Sequence, residues 1–307
     1  MSVDPSFAAG FPKLSLSAPI ARRTAAVARK AFGPEGGVLH ARPPKLRGEA
    51  LDLPPEFWIF ALVGALAQLI DGALGMGYGV VSSTVLLSLG VPPANASASV
   101  HAAKMFTGAA SAASHALYKN VDLKLLLTLS AGGIVGGCLG AYVLTSIDGH
   151  KIKPFVVAWL AIMGVLILWR AWKQTRPRVL PNTRPLGLGL VGGFFDAVGG
   201  GGWGPVVTST LLGSGADPRK AIGTTNTAEF FVAAAVSGAF LTALLTGKWE
   251  ATGLIDHAWS VGGLVAGGIV TAPVAGWTTK VLPIRALTWA VGVFVTGLAI
   301  FQAVQLF

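Results

Sequence analysis

Charge is missing from most of this chain in long unbroken stretches, and few architectures tolerate that. Between Phe57 and Ala103 the only Asp, Glu, Lys or Arg is Asp71, and Leu125–Ile147 and Pro154–Trp169 have none. Pro185–Ala216 holds only Asp196 and Ala221–Gly247 only Glu229, while His257–Thr279 and Ala286–Phe307 hold none. A helix crosses the bilayer hydrocarbon with about 20 apolar residues. These runs are long enough to span once, and some twice. A transmembrane barrel would instead alternate in segments of about 10 residues, and these runs do not alternate. Charged residues make up 12% of the chain, against about 25% in a soluble domain, too few to cover a soluble surface of this size. The expected fold class is therefore all-α: a polytopic transmembrane helical protein.

The net charge of +10 points to cytoplasmic loops rather than nucleic acid, because no basic helix with interleaved aromatics lies outside the apolar runs. The single Cys138 leaves redox compartment unread. Residues 1–55 form a basic tail carrying Arg22, Arg23, Arg29, Lys30, Arg42, Lys45 and Arg47, without the apolar core of a secretory signal. The expectation is a disordered cytoplasmic tail touching anionic headgroups. An Arg-rich presequence or an overlong start are the alternatives.

An internal repeat organises the rest. The stretch from Ile70 and the stretch from Phe195 align without a gap, placing Asp71 on Asp196 and Gly75, Gly77 and Gly79 on Gly200, Gly202 and Gly204. Tyr78 falls on Trp203, Gly90 on Gly215, Pro93 on Pro218 and Phe106 on Phe231. Asp, Pro and aromatic matches in one register are not a by-product of Gly- and Leu-rich composition. Two homologous halves follow, 56–173 and 185–307, joined by a polar linker, 174–184. Each half divides into five apolar pieces: 57–72, 78–90, 95–117, 123–146 and 153–172, then 185–198, 203–213, 220–246, 253–279 and 284–306. In both halves the first two pieces are short and meet at a glycine cluster. Such paired, interrupted segments mark the binding region of many transporters. Five crossings per half would invert the second half; four would leave the halves parallel and would suit the positive-inside rule with the N-terminus inside. Eight or ten crossings both stay open.

The glycine clusters break helices and expose backbone groups. In lipid these persist only where they line a cavity or are buried in protein, and N–H groups at a half-helix start favour an anion. Gly75, Gly77, Tyr78, Gly79, Gly200, Gly202, Trp203 and Gly204 are thus substrate-site candidates, whereas Gly132, Gly133, Gly136 and Gly137 read as close helix packing. Asp71 and Asp196 precede the breaks and either cap the following half-helix or carry a coupling proton. On the third segment His101, Lys104 and His115 share a face at helical spacing, with Ser99 close by. Asn226 and Glu229 occupy the matching positions of the second half, beside Thr224 and Thr225. Lys104 and Glu229 pair if the halves pack about a pseudo-twofold axis; otherwise Lys104 snorkels to the headgroups. His115 and Glu229 join Asp71 and Asp196 as candidates for gating or proton coupling. His101 and His115 lie about 21 Å apart along a helix at 1.5 Å per residue, too far to share a metal. No zinc spacing, P-loop or nucleophile elbow stands out, so neither a metal, a cofactor nor an enzyme activity is expected.

These residues resemble a known family. Asp71-Gly-Ala-Leu-Gly-Met-Gly-Tyr-Gly79 with Gly90 and Pro93, then Ser99-Val100-His101 and Asn120-Val121-Asp122, and in the second half Gly192 to Pro205 followed by Gly223-Thr-Thr-Asn226, are similar to the two signatures of the TauE/SafE sulfite exporter family, of the 4-toluene sulfonate uptake permease type. The resemblance covers residues 57–307. It implies a multi-pass permease of the bacterial inner membrane, exporting sulfite or a related sulfonate such as sulfoacetate by alternating access. A proton-coupled importer of an organic anion and an anion channel are the alternatives. The expected partners are that small anion and the lipid bilayer, with no nucleic acid; a homodimer is one expected assembly.

Overall fold

The computed structural model describes residues 53–173, 185–250, 258–275, 277 and 284–306. Nearly all of the basic tail, and the linker at 174–184, lie outside the described residues. Among the described residues the α-helices are, in order, α1 Pro55–Leu74, α2 Tyr78–Ser88, α3 Pro93–Leu117, α4 Leu123–Ser146, α5 Gly149–Lys173, α6 Pro185–Gly199, α7 Ser209–Gly213, α8 Pro218–Leu245, α9 Ala258–Thr271 and α10 Ile284–Leu306. A π-helical turn, Gly204–Thr208, leads into α7 and a 3-10 turn, Ala272–Val274, follows α9. Among the described residues there is no strand.

Local chemistry sets these limits. Pro93 and Pro218 stand at the first turns of α3 and α8, where the missing N–H costs nothing, so both helices begin two residues ahead of the expected starts. Asp122 caps α4 by accepting from the Leu125 N–H at 3.0 Å, and Asp217 caps α8 through the Lys220 N–H at 2.9 Å. The second break departs from a plain helix because Pro205 supplies no N–H, and the π turn begins beside it.

Among the described residues, four helices are long and apolar enough to cross a membrane on their own: α1, α4, Gly149–Trp172 of α5, and α8. On α5 the side chains of Phe155, Ile162, Val165, Leu166 and Trp169 are exposed. In water they would form a large apolar patch; against acyl chains they are the proper surface. The chain is a multi-pass α-helical membrane protein.

Packing is exchanged between the early and late helices. The largest interfaces join α4 to α6, α1 to α9 and α5 to α10, followed by α8 against both α3 and α4. The first two are built on glycine. A Cβ on Gly132, Gly136 or Gly140 of α4 would strike the carbonyl of Leu186, Leu190 or Phe194 of α6. One on Gly263 or Gly267 of α9 would strike that of Phe57 or Ala61 of α1. Backbones approach this closely only through small residues, the usual device of helix pairs in lipid. Gly132 and Gly136 thus serve helix packing, and Gly133 and Gly137 adjoin side chains of Trp203, Val232 and Val236. Because both contact series climb together, α4 runs parallel to α6 and α1 parallel to α9. By contrast, Lys104 meets Glu229 while Asn120 meets Gly223, so α3 and α8 are antiparallel. The same holds for α5 and α10, where Gly164 adjoins Thr296 and Gly292 adjoins Leu168.

Candidate functional site

Both helix breaks are held by the aspartate that precedes them. α1 ends at Gly75, in the left-handed region with φ 66°, its N–H bonded to the Asp71 carbonyl at 2.7 Å. The Asp71 carboxylate then accepts from the N–H of Tyr78, first residue of α2, at 3.2 Å. At the second break Gly200 has φ 67°, and Asp196 Oδ1 accepts from the Gly202 and Trp203 N–H groups at 2.8 and 3.1 Å. Each carboxylate thus reaches over its glycine turn to the start of the next helix. The aligned aromatics are both buried with their polar tips bound: Tyr78 Oη donates to Leu264 O at 3.1 Å, and Trp203 Nε1 to Thr225 O at 3.0 Å.

The breaks touch each other. A Cβ on Gly201 would strike Val80 N, and one on Gly204 would meet Gly75 O at 2.6 Å. Each turn also leaves a carbonyl without a helical partner, and the other half supplies it: Thr208 Oγ1 donates to Gly75 O and Ser83 Oγ to Gly200 O, both at 2.7 Å. Ser83 and Thr208 were not among the residues singled out from sequence. The register that matches Gly75 with Gly200 also matches Ser83 with Thr208, and that is the signal that would have found them.

Midway along α3, Lys104 and His101 turn to the second break. Lys104 Nζ donates to both Asp196 oxygens, at 3.1 and 3.0 Å, and lies 2.5 Å from Glu229 Oε1 on α8. The ion pair anticipated between Lys104 and Glu229 is present; Asp196 as a second partner was not anticipated. His101 Nε2 stands 3.1 Å from Asp196 Oδ2, and its Nδ1 2.8 Å from Ser97 O. Two narrow voids adjoin the cluster, each of about 10 Å³, room for about one water, and Asp71, Lys104 and Glu229 line both.

The remaining candidates spread outward. Asn226 Nδ2 contacts Asp71 O at 3.3 Å and His115 Nε2 at 3.2 Å, so His115 lies behind the carboxylates rather than among them. Thr225 Oγ1 lies 2.9 Å from the Thr208 hydroxyl oxygen, and Thr224 Oγ1 accepts from the Asp122 N–H at 2.8 Å, tying down the α3–α4 turn. Gly77 has φ 144°, and a Cβ on Gly79 would sit 2.8 Å from Lys104 Nζ. Ser99 borders a separate apolar pocket with Phe240 and Trp249.

A membrane-embedded helical bundle whose buried charges converge where two broken helices meet is the build of a transporter. The family described as "Sulfite exporter TauE/SafE" matches residues 60–301, and the chain belongs to that family. It is 43% identical over 229 residues to "Probable membrane transporter protein YtnM" of Bacillus subtilis (strain 168), covering 72% of this chain and 74% of that protein. It is 29% identical over 157 residues to "Probable membrane transporter protein ORF9" of a Sinorhizobium species, covering 50% of this chain and 60% of the relative. No solved structure matches it.

Proposed function

We propose that this chain is a permease of the bacterial inner membrane that exports a small sulfur-containing anion, sulfite or a sulfonate such as sulfoacetate, by alternating access about the two helix breaks. One observation carries the reading: a lysine and a histidine, buried midway along α3, and two N–H groups of the opposite break converge on one carboxylate, that of Asp196. Those groups together are an anion-binding set. The family match supports the substrate class. The helix directions support an inverted second half, since the matching pairs α3 and α8, and α5 and α10, run antiparallel. Inverted halves with the solute between them are a common basis for alternating access. A negative interior favours export, because moving one negative charge outward gains about 2.3 kcal/mol per 100 mV.

The test is sulfite-evoked charge movement and sulfite flux in liposomes holding the purified protein, compared with sulfate, sulfoacetate and acetate. Saturable sulfite transport, lost in a still-folded Gly202→Leu protein, is the expected result. Absence of both current and flux for every anion, at either polarity, would overturn the reading.

A further inference from the structure

We propose that Asp71 and Glu229 hold one proton between them, and that this proton frees the Glu229-facing side of Lys104 for the transported anion, so that the two move together. The idea rests on the anion-permease reading above and adds its coupling ion.

The observation behind it is an asymmetry between matched positions. Lys104 of α3 reaches across to Asp196 of the second half. In the repeat register Glu229 takes the place of Lys104, and Asp71 that of Asp196. Where one side has an ammonium against a carboxylate, the other has two carboxylates, and both border the same two voids. Asp196 is well supplied with donors: Lys104, His101 and the Gly202 and Trp203 N–H groups. The Asp71 carboxylate has, among the described residues, only the Tyr78 N–H.

The charges do not balance either. Asp71, Asp196 and Glu229 face Lys104, and even with His101 counted as a cation the carboxylates are in excess. Glu229 has to share Lys104 with Asp196, and Asp71 has no cation bonded to it among the described residues. A buried carboxylate so poorly compensated takes up a proton rather than keep its charge, and two sharing a site do not readily both stay ionised. A separate observation points into the same void. Asn226 Oδ1 and Ser111 Oγ border it, no more than 2% exposed, and have no hydrogen-bond partner. An unfilled acceptor beside two carboxylates suits a proton-bearing group or the water that delivers it. The other titratable or charged groups facing the pair are Tyr78 from α2, His101 and Lys104 from α3 and Asp196 from α6; Asn226 stands between Asp71 and His115.

With all three carboxylates ionised the centre repels an anion. A proton arriving from water on Glu229 leaves a neutral acid, so Lys104, still bonded to Asp196, faces one carboxylate instead of two and has a donor hydrogen free for an incoming oxyanion. One proton with a singly charged anion leaves the centre's charge unchanged. With doubly charged sulfoacetate, one net negative charge crosses per proton.

Two readouts test this. In the purified protein, infrared spectroscopy should show the carbonyl stretch of a protonated buried acid, shifted or lost in Glu229→Gln and in Asp71→Asn. In liposomes, sulfoacetate, whose charge is constant near neutral pH, should carry protons detected by a lumenal dye. A pH gradient should raise its flux several-fold, and in Glu229→Gln the ratio of flux with and without the gradient should fall to one. No acid band in the wild type, or a band unchanged in both variants, would overturn the proposal, as would sulfoacetate flux without protons. If neither sulfite nor sulfoacetate moves, the permease reading fails on its own, and the infrared band still decides the proton site. Should Glu229→Gln not fold, the wild-type band, the wild-type proton flux and Asp71→Asn keep the test intact.

Discussion

Lys104 and Asp196 are joined through both carboxylate oxygens, at 3.0 and 3.1 Å, from opposite halves of the chain. Nearly all of each side chain is buried. Breaking such a pair leaves a charge stranded where water cannot reach it, at about 3–5 kcal/mol. Asp196→Asn should therefore lower the unfolding temperature in detergent well beyond Asp71→Asn, whose carboxylate has no cation bonded to it. Equal losses in the two variants would contradict the asymmetry.

The glycine interfaces make a sharper contrast. Gly136→Ala puts a methyl group into the Leu190 carbonyl of α6, whereas Gly187→Ala and Gly238→Ala meet nothing within 4 Å. Overpacking costs about 1–3 kcal/mol, and unobstructed surface changes stay within about 0.5 kcal/mol. Thermal unfolding of the three variants should separate Gly136→Ala from the other two.

At the first break, Gly77 has φ 144°, outside the regions open to side-chain-bearing residues, and a Cβ there would lie 3.1 Å from Ile70 Cγ2. Gly77→Ala carries about 1–3 kcal/mol of backbone strain and should abolish sulfite flux. Gly247, with φ 69° and open space around it, suits the left-handed region that Asn tolerates, so Gly247→Asn should transport normally. Normal flux in Gly77→Ala would remove the break from the mechanism.

The hydroxyls that close the breaks should be interchangeable. Thr208→Val strands Gly75 O and Ser83→Ala strands Gly200 O, each at about 1–3 kcal/mol. Thr208→Ser and Ser83→Thr keep the donor and should retain wild-type stability. If the hydroxyl-retaining variants fall as far as the others, packing and not hydrogen bonding holds these turns.

The helix limits were legible because their causes are local. The stretch 123–146 was read as one piece and is α4 as found, with Asp122 before it and Asp148-Gly149 just beyond. The pairing of Lys104 with Glu229 was legible because the repeat register sets them opposite one another. What sequence could not give was Asp196 as a second partner of Lys104. That contact depends on where α6 settles beside α3, which the α4–α6 glycine interface decides. The expected piece at 253–279 likewise hid the change at Ala272–Val274, where Pro273 interrupts the helix, because apolar composition continues past it.

The seating of α1 against α9 bears on how the protein is made. Phe57 and Ala61 find their glycine partners only when Gly263 and Gly267 have left the ribosome. At about 5–20 residues per second, the first helix waits on the order of ten to forty seconds in the membrane with its docking face unoccupied. Either the insertion machinery or a neighbouring lipid has to shelter that face during synthesis. A chain cut between its halves would leave α1 unseated until the second piece was supplied.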